Sequence, residues 1–238
     1  MFIQTKTLPV ILIFCTVASA GHQIFIGAAA EHFAIRDDQI SHVKCSGFRI
    51  PVSISHAYQS PVSCHRGSVV FSLGSDLSHP LLFDDYTISE LDLRYDYSRR
   101  LPYLTENLNL YAGASVSAFG YKGIIPYNEH YGARVGFSAL VGGAYSFTDK
   151  LIISNETSYG LVALVLRPAY NLYRFNPDRF WGSIHNMICI RNDFELSYDI
   201  TERYGLIFIY RVDYFSFKRH LQIKSGSDGI FLKAAVRF

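Results

Sequence analysis

No stretch of residues 21–238 approaches the roughly 18 consecutive apolar residues of a membrane-spanning helix, so this region stays in water or enters a membrane as strands. Methionine (2) and tryptophan (1) are scarce. Charged residues make up 18% of the chain, below the roughly 25% of an average soluble domain. A net charge of +2 without any Lys/Arg run gives no electrostatic case for a nucleic-acid partner. Cysteine is sparse too. Beyond residue 20 there are Cys45, Cys64 and Cys189, an odd number, so at least one thiol is free or paired to another chain. No Cys-x-x-Cys or Cys/His spacing suggests zinc, and no cofactor is expected. The patterns G-x-S-x-G, H-E-x-x-H, G-x-G-x-x-G and the Walker loop are missing as well.

Aromatic residues are abundant: 17 Tyr and 18 Phe, residues that favour strands and sit well at membrane interfaces. The first twenty residues read as an export signal. Lys6 supplies the positive end, residues 8–17 (LPVILIFCTV) the apolar run, and Ala18-Ser19-Ala20 the small residues before cleavage at Gly21. That run is about half of what a helix needs to span a bilayer. Residues 21–238 then read as one domain, with no charge run, linker or low-complexity tract to divide it.

The dominant signal in that domain has period two. In residues 88–101 (ISELDLRYDYSRRL), Leu91, Leu93, Tyr95 and Tyr97 alternate with Glu90, Asp92, Arg94, Asp96 and Ser98. Residues 187–200 (MICIRNDFELSYDI) repeat the pattern, with only Asn192 interrupting the apolar side. Such alternation makes a strand with one greasy and one charged face. The same reading predicts ten strands at 22–32, 47–58, 67–77, 87–99, 107–121, 131–147, 150–166, 187–200, 203–217 and 229–238. Pro51 makes the second the least secure, because proline cannot donate to a ladder. Connectors alternate in length. Those at 59–66, 100–106, 148–149 and 201–202 are mostly shorter than those at 33–46, 78–86, 122–130, 167–186 and 218–228. Membrane barrels show this pattern, with short turns on one side, long loops on the other, and both termini on the short-turn side.

A soluble sandwich alternates too, but buries its apolar face. Strand length argues for a membrane barrel: many of these runs reach 11–15 residues, and crossing hydrocarbon at a tilt takes about 9–11. Aromatics cluster near strand ends. Tyr95, Tyr97, Tyr145, Phe147, Tyr198 and Phe238 lie toward the short turns, and Tyr210 and Tyr214 toward the long loops, as two girdles would. The last strand is GIFLKAAVRF, with Ile230, Leu232, Ala234, Val236 and Phe238 on one face. It resembles the C-terminal signature of bacterial outer-membrane barrel proteins, an alternating strand that ends in Phe and is read by the assembly machinery. The resemblance implies export to the outer membrane of a Gram-negative cell. Its implied partners are the barrel assembly machinery, outer-membrane lipid and lipopolysaccharide.

The expected fold is therefore all-β, a transmembrane antiparallel up-and-down barrel of about ten strands, with eight or twelve also possible. Its lumen should hold the acidic residues Glu31, Asp76, Glu90, Asp92, Asp96, Glu156, Asp193, Glu195 and Asp213. With them come Arg49, Arg94, Arg134, Arg191, Arg211, Lys233 and Arg237. Near balance of sign in so narrow a barrel predicts a cross-linked network rather than a selectivity ring. The reading that follows is a structural or surface-binding role. A narrow or gated transport barrel, porin-like in class, comes second.

A membrane-embedded hydrolase is the third reading. Omptin proteases are ten-stranded and use acidic pairs and an Asp/His pair at the outer rim. Asp37-Asp38, Asp84-Asp85, His79 and His185 fall in expected outer loops, but their spacing does not reproduce that family's motifs. The His-x-Ser-Asn pattern associated with lipid A deacylases is missing. Ser154, Glu156 and Ser158 share a face assigned to the lumen, and His32 stands alone. With no base placed beside a nucleophile, no catalytic residue is assigned. The most distinctive loop is 167–186, where Arg167, Arg174 and Arg179 mix with Tyr170, Tyr173, Phe175, Phe180 and Trp181. Arg174, Arg179, Tyr173 and Trp181 are its candidate binding residues, for a lipopolysaccharide head group or a protein partner. Cys45 in the first outer loop and Cys64 in the first inner turn should lie too far apart to pair.

Overall fold

The computed structural model describes residues 21–37, 44–78, 86–101, 107–125, 128–167, 178–218 and 222–238. Within them every regular element is a strand. In chain order these are β1 (His22–Asp37), β2 (Cys45–Arg49), β3 (Val52–Gln59), β4 (Ser63–Leu77), β5 (Tyr86–Arg100) and β6 (Leu108–Ile125). The second half contains β7 (Asn128–Ser146), β8 (Leu151–Arg167), β9 (Asp178–Ser183), β10 (Met187–Asp199), β11 (Tyr204–Lys218) and β12 (Gln222–Arg237). All pairings are antiparallel. The sheet closes on itself, because β8 pairs with β10 as well as β7 and β12 pairs with β1. β2 and β3 lie end to end along β1, and β9 and β10 end to end along β8. Twelve strands thus form a ten-stave barrel, and the ten staves match the ten alternating runs.

Alternation decides which face points where. Along β11, Leu206, Phe208, Tyr210, Val212 and Tyr214 are exposed on the outside, while Ile207 and Ile209 are buried and Arg211 and Asp213 face inward. Along β5, Leu91, Leu93, Tyr95 and Tyr97 are exposed and Glu90, Arg94 and Asp96 buried. The greasy rows are therefore the outer skin, over staves that mostly run 15–19 residues. A wall so apolar over so wide an area is stable only against hydrocarbon. Tyr95, Tyr97, Tyr145, Phe147, Tyr198 and Phe238 form the outward aromatic set at the short-turn end. Asn192, the polar intruder in the outward row of β10, donates to Thr157 Oγ1 at 2.8 Å and exchanges amide hydrogen bonds with Asn155 at 3.0 and 3.3 Å. These neighbours on β8 make a polar side chain tolerable on that wall.

Three irregularities shape the wall. Pro51 splits the second stave without shifting its register on β1: Ala28 faces Val52 and Glu31 faces Arg49, with an unbroken count between. The Pro51 carbonyl accepts the Ala29 N–H at 2.9 Å, so the stave loses only the donor that proline lacks. On β4 the register against β5 shifts between Ser72 and Ser75, where Gly74 holds a φ of 62°. This is a bulge that needs the left-handed conformation. Gly74→Ala should cost about 1 kcal/mol, seen as a lower urea midpoint of the folded barrel, and Gly74→Asn less. On β8 the register shifts at Phe137/Ser138, so that Leu161 and Val162 both point outward.

The connectors differ from expectation. Residues 122–125, 128–130 and 222–228 are strand rather than loop, because the ladders continue past the hydrophobic belt: Ile125 pairs Asn128, and β12 pairs β11 as far as Gln222–Lys218. Residues 178–183, expected inside the long loop, form β9 and extend the β10 stave after a turn at 184–186. Ser183 N–H donates to Asn186 Oδ1 at 2.8 Å to close that turn. Cys45, Cys64 and Cys189 are all free thiols.

Candidate functional site: the charged lumen

The polar faces of the staves converge inside a barrel barely wider than its own side chains. Near the middle, Arg191 on β10 donates to Asp92 on β5 at 2.5 Å and to Asp213 on β11 at 2.8 Å. β5 and β10 are separated by β6, β7 and β8, so the first of these bonds crosses the lumen. Arg134 on β7 approaches Asp213 at 3.6 Å from a third side. Its guanidinium is sandwiched between the rings of Phe119 and Phe215, at 5.0 and 4.5 Å. Toward the loop end, Arg49 donates to Glu31 at 2.7 Å and also pairs with Glu90, lying over the Phe33 ring at 4.2 Å.

A lower tier runs toward the short turns. Arg211 grips Asp193 with two bonds of 2.7 Å, the bidentate geometry that makes such pairs strong. Arg94 donates to Asp96 at 2.6 Å and Ser158 at 3.2 Å, and reaches Glu156 on β8 at 3.5 Å. Ser197 donates to Glu195 at 2.8 Å, and Lys233 to Ser55 at 3.2 Å. Arg237 pairs with Asp199 at the short-turn rim. The expected lumen residues Glu90, Asp92, Arg94, Asp96, Arg191, Asp193, Glu195, Arg211 and Asp213 are thus brought together. The Asp76 side chain lies outside the described residues. The spaces left between these tiers are small, about 40 Å³ in the upper tier and about 40 Å³ in the lower. Each has room for a few waters at most.

Two features were not anticipated. Arg66 joins the lower tier, lining its cavity with Asp96, Asp193 and Glu195. The alternating signal begins only at Gly67, which hid it. The loop end is also closed by hydrocarbon rather than charge. Phe33, Ile35, Leu77, Ile88 and Tyr121 form one inward cluster, and Val165, Met187, Phe215, Phe217 and Ile223 another. The lumen is therefore a charged belt beneath two apolar plugs. The available hint was a lapse of alternation near the strand tops, as in Ala163-Leu164-Val165-Leu166.

The candidate loop residues separate. Arg174 and Tyr173 lie outside the described residues. Arg179 and Trp181 belong to β9, paired with Leu166 and Leu164, and are not in a loop. Both are exposed, Trp181 at 68%, while Phe180 between them packs into the second apolar plug. They therefore face outward at the loop end, where tryptophan and arginine anchor at a membrane interface. The side chains of Asp37, Asp38, His79, Asp84 and Asp85 lie outside the described residues. His185 is exposed in the turn after β9. Glu156 and Ser158 are buried against Arg94, and His32 meets Asp228 at 3.5 Å and the edge of Phe48.

A closed antiparallel barrel with a greasy exterior and an ionised interior has the fold of outer-membrane β-barrel proteins. Solved structures bear this out. The chain is similar to the outer membrane protease OmpT from Escherichia coli, with 9% identity and a TM-score of 0.60 over 92% of this chain and 97% of that one. It is also similar to the translocator domain of the autotransporter NalP from Neisseria meningitidis, with 9% identity and a TM-score of 0.50 over 94% and 90%. At such identities the likeness is one of fold. No protein-family model matches the sequence, and no curated protein matches it significantly.

Proposed function

We propose that this protein is an integral outer-membrane barrel with a structural or surface-binding role, its lumen held shut by ion pairs. The observation that carries this reading is the set of ties across the lumen, Arg191 to Asp92 and Arg94 to Glu156, with only small cavities between them. A diffusion pore needs a continuous water path. The apolar plugs at the loop end argue against one, leaving a cavity of about 20 Å³ between Tyr121, Val165, Phe215 and Ile223. The outward Arg179 and Trp181 support contact with lipopolysaccharide around the loop end, and β12 supports recognition by the assembly machinery.

Planar-bilayer recording tests the proposal. The refolded protein is expected to give no sustained steps of the size of a general porin. Stable open-channel steps at low voltage would reverse the order of the two readings and favour a transport barrel.

A further inference from the structure

On the outer wall at the short-turn end, aligned rungs bring six rings together. His22 faces Tyr58, Tyr58 faces His65, and His65 faces Tyr97; one rung up, His56 faces Gly67 and Gly67 faces Tyr95. His22 Nδ1 and His56 Nε2 share a hydrogen bond of 2.9 Å with their rings stacked, and His65 Nδ1 is hydrogen-bonded to the Tyr95 hydroxyl at 2.7 Å. Gly67 lies at the foot of this cluster, and a Cβ there would meet nothing within 4 Å. Elsewhere in the barrel a glycine opposite a tyrosine is covered by the ring, as Gly132 is by Tyr121 and Gly142 by Tyr111. Tyr95, tied to His65, leaves Gly67 bare. The result is an outward-facing groove of about 590 Å³, lined by Ile24, Ile54, Val69, Leu93 and Val116, with His56 and Tyr95 at its polar edge. Arg99, two residues beyond Tyr97 on the same face, is exposed nearer the end of the wall.

We infer that this groove is a binding site for one phospholipid of the surrounding leaflet. An acyl chain fills the dent over Gly67, and the phosphate meets the imidazole cluster and Arg99. The wall around the dent faces hydrocarbon, so its occupant is a lipid tail. In a membrane apolar burial alone gives no preference for one site, since tails are as greasy as Leu. Selectivity must come from the polar end. There, imidazole N–H donors and a guanidinium stand at interface height beside the groove, complementary to a phosphate.

Native mass spectrometry of the detergent-released barrel, titrated with phosphatidylethanolamine, tests this. Wild type should retain one lipid. Gly67→Leu, which fills the dent, should weaken retention about tenfold, a change of about 1.4 kcal/mol. His65→Phe frees Tyr95 to cover Gly67 and should weaken it similarly, and Arg99→Gln should remove the preference for phospholipid over diacylglycerol of the same chains. Ile190→Phe, on the exposed wall at β10 across the barrel from the groove, should change nothing, and the gel shift on boiling confirms that each variant is folded. Equal retention by wild type and Gly67→Leu, no preference for phospholipid over diacylglycerol, or a lipid-free dimer would overturn the assignment.

Discussion

Replacing Arg191 with methionine should destabilise the barrel by about 3–5 kcal/mol, the usual consequence of removing one partner from a buried ion cluster. Arg191 is the hinge of the central tier: it serves Asp92 and Asp213 together, and both carboxylates are largely shielded from water. Without it, two negative charges border a space of about 40 Å³ with Arg134 at 3.6 Å from Asp213, while Arg49 and Arg211 on the same lining are engaged with Glu31 and Asp193. The loss comes chiefly from stranding those carboxylates rather than from losing the bonds themselves. The double variant Arg191→Met/Asp92→Asn should therefore recover much of the stability, because a neutral amide replaces the stranded Asp92 while Asp213 keeps Arg134 as its partner. Urea unfolding of the barrel in vesicles, followed by the mobility difference between boiled and unboiled samples, gives both numbers. If Arg191→Met unfolds within 1 kcal/mol of wild type, the central tier does not brace the barrel.

The staves were readable because a wall between lipid and a packed lumen imposes a strict alternation on every strand, and Leu91 to Tyr97 or Leu206 to Tyr214 record it plainly. The partners inside the lumen were not readable. Arg191 and Asp92 are 99 positions apart, and Arg94 and Glu156 are 62 apart; only closure of the sheet, with its tilt and stagger, decides which charges meet. β9 was hidden by its composition: Asp178 and Arg179 look like loop residues, yet the β8 edge offers free ladder positions as far as Arg167, and pairing overrides local preference. The apolar plugs escaped for a related reason. Where Phe215 and Phe217 face inward beside the outward Tyr214, both faces are greasy and period two disappears. Trp181 illustrates the same limit, since an aromatic in an Arg-rich segment reads equally as a ligand contact or an interface anchor until the strand beneath it is known.

Phe208→Arg should cost about 2–4 kcal/mol, and the sign of that effect bears directly on which face meets hydrocarbon. Phe208 lies on the outer wall in register with Leu196 on one side and Leu232 on the other, and it is 39% exposed. On a water-soluble sheet, placing arginine at so exposed a position would be neutral or mildly favourable, since the guanidinium would simply be hydrated. Within a bilayer the same group is stripped of water in the aliphatic band and must bend toward an interface. Depth supplies the internal control. Tyr204, four residues along β11 at the short-turn end and also outward, should accept arginine at a cost of about 0–1 kcal/mol, because there the side chain reaches the headgroups. Urea titration of each variant refolded into vesicles separates the possibilities. A large loss at Phe208 with little at Tyr204 is the signature of a membrane wall, whereas two equally small effects would mean that water, not lipid, covers this face.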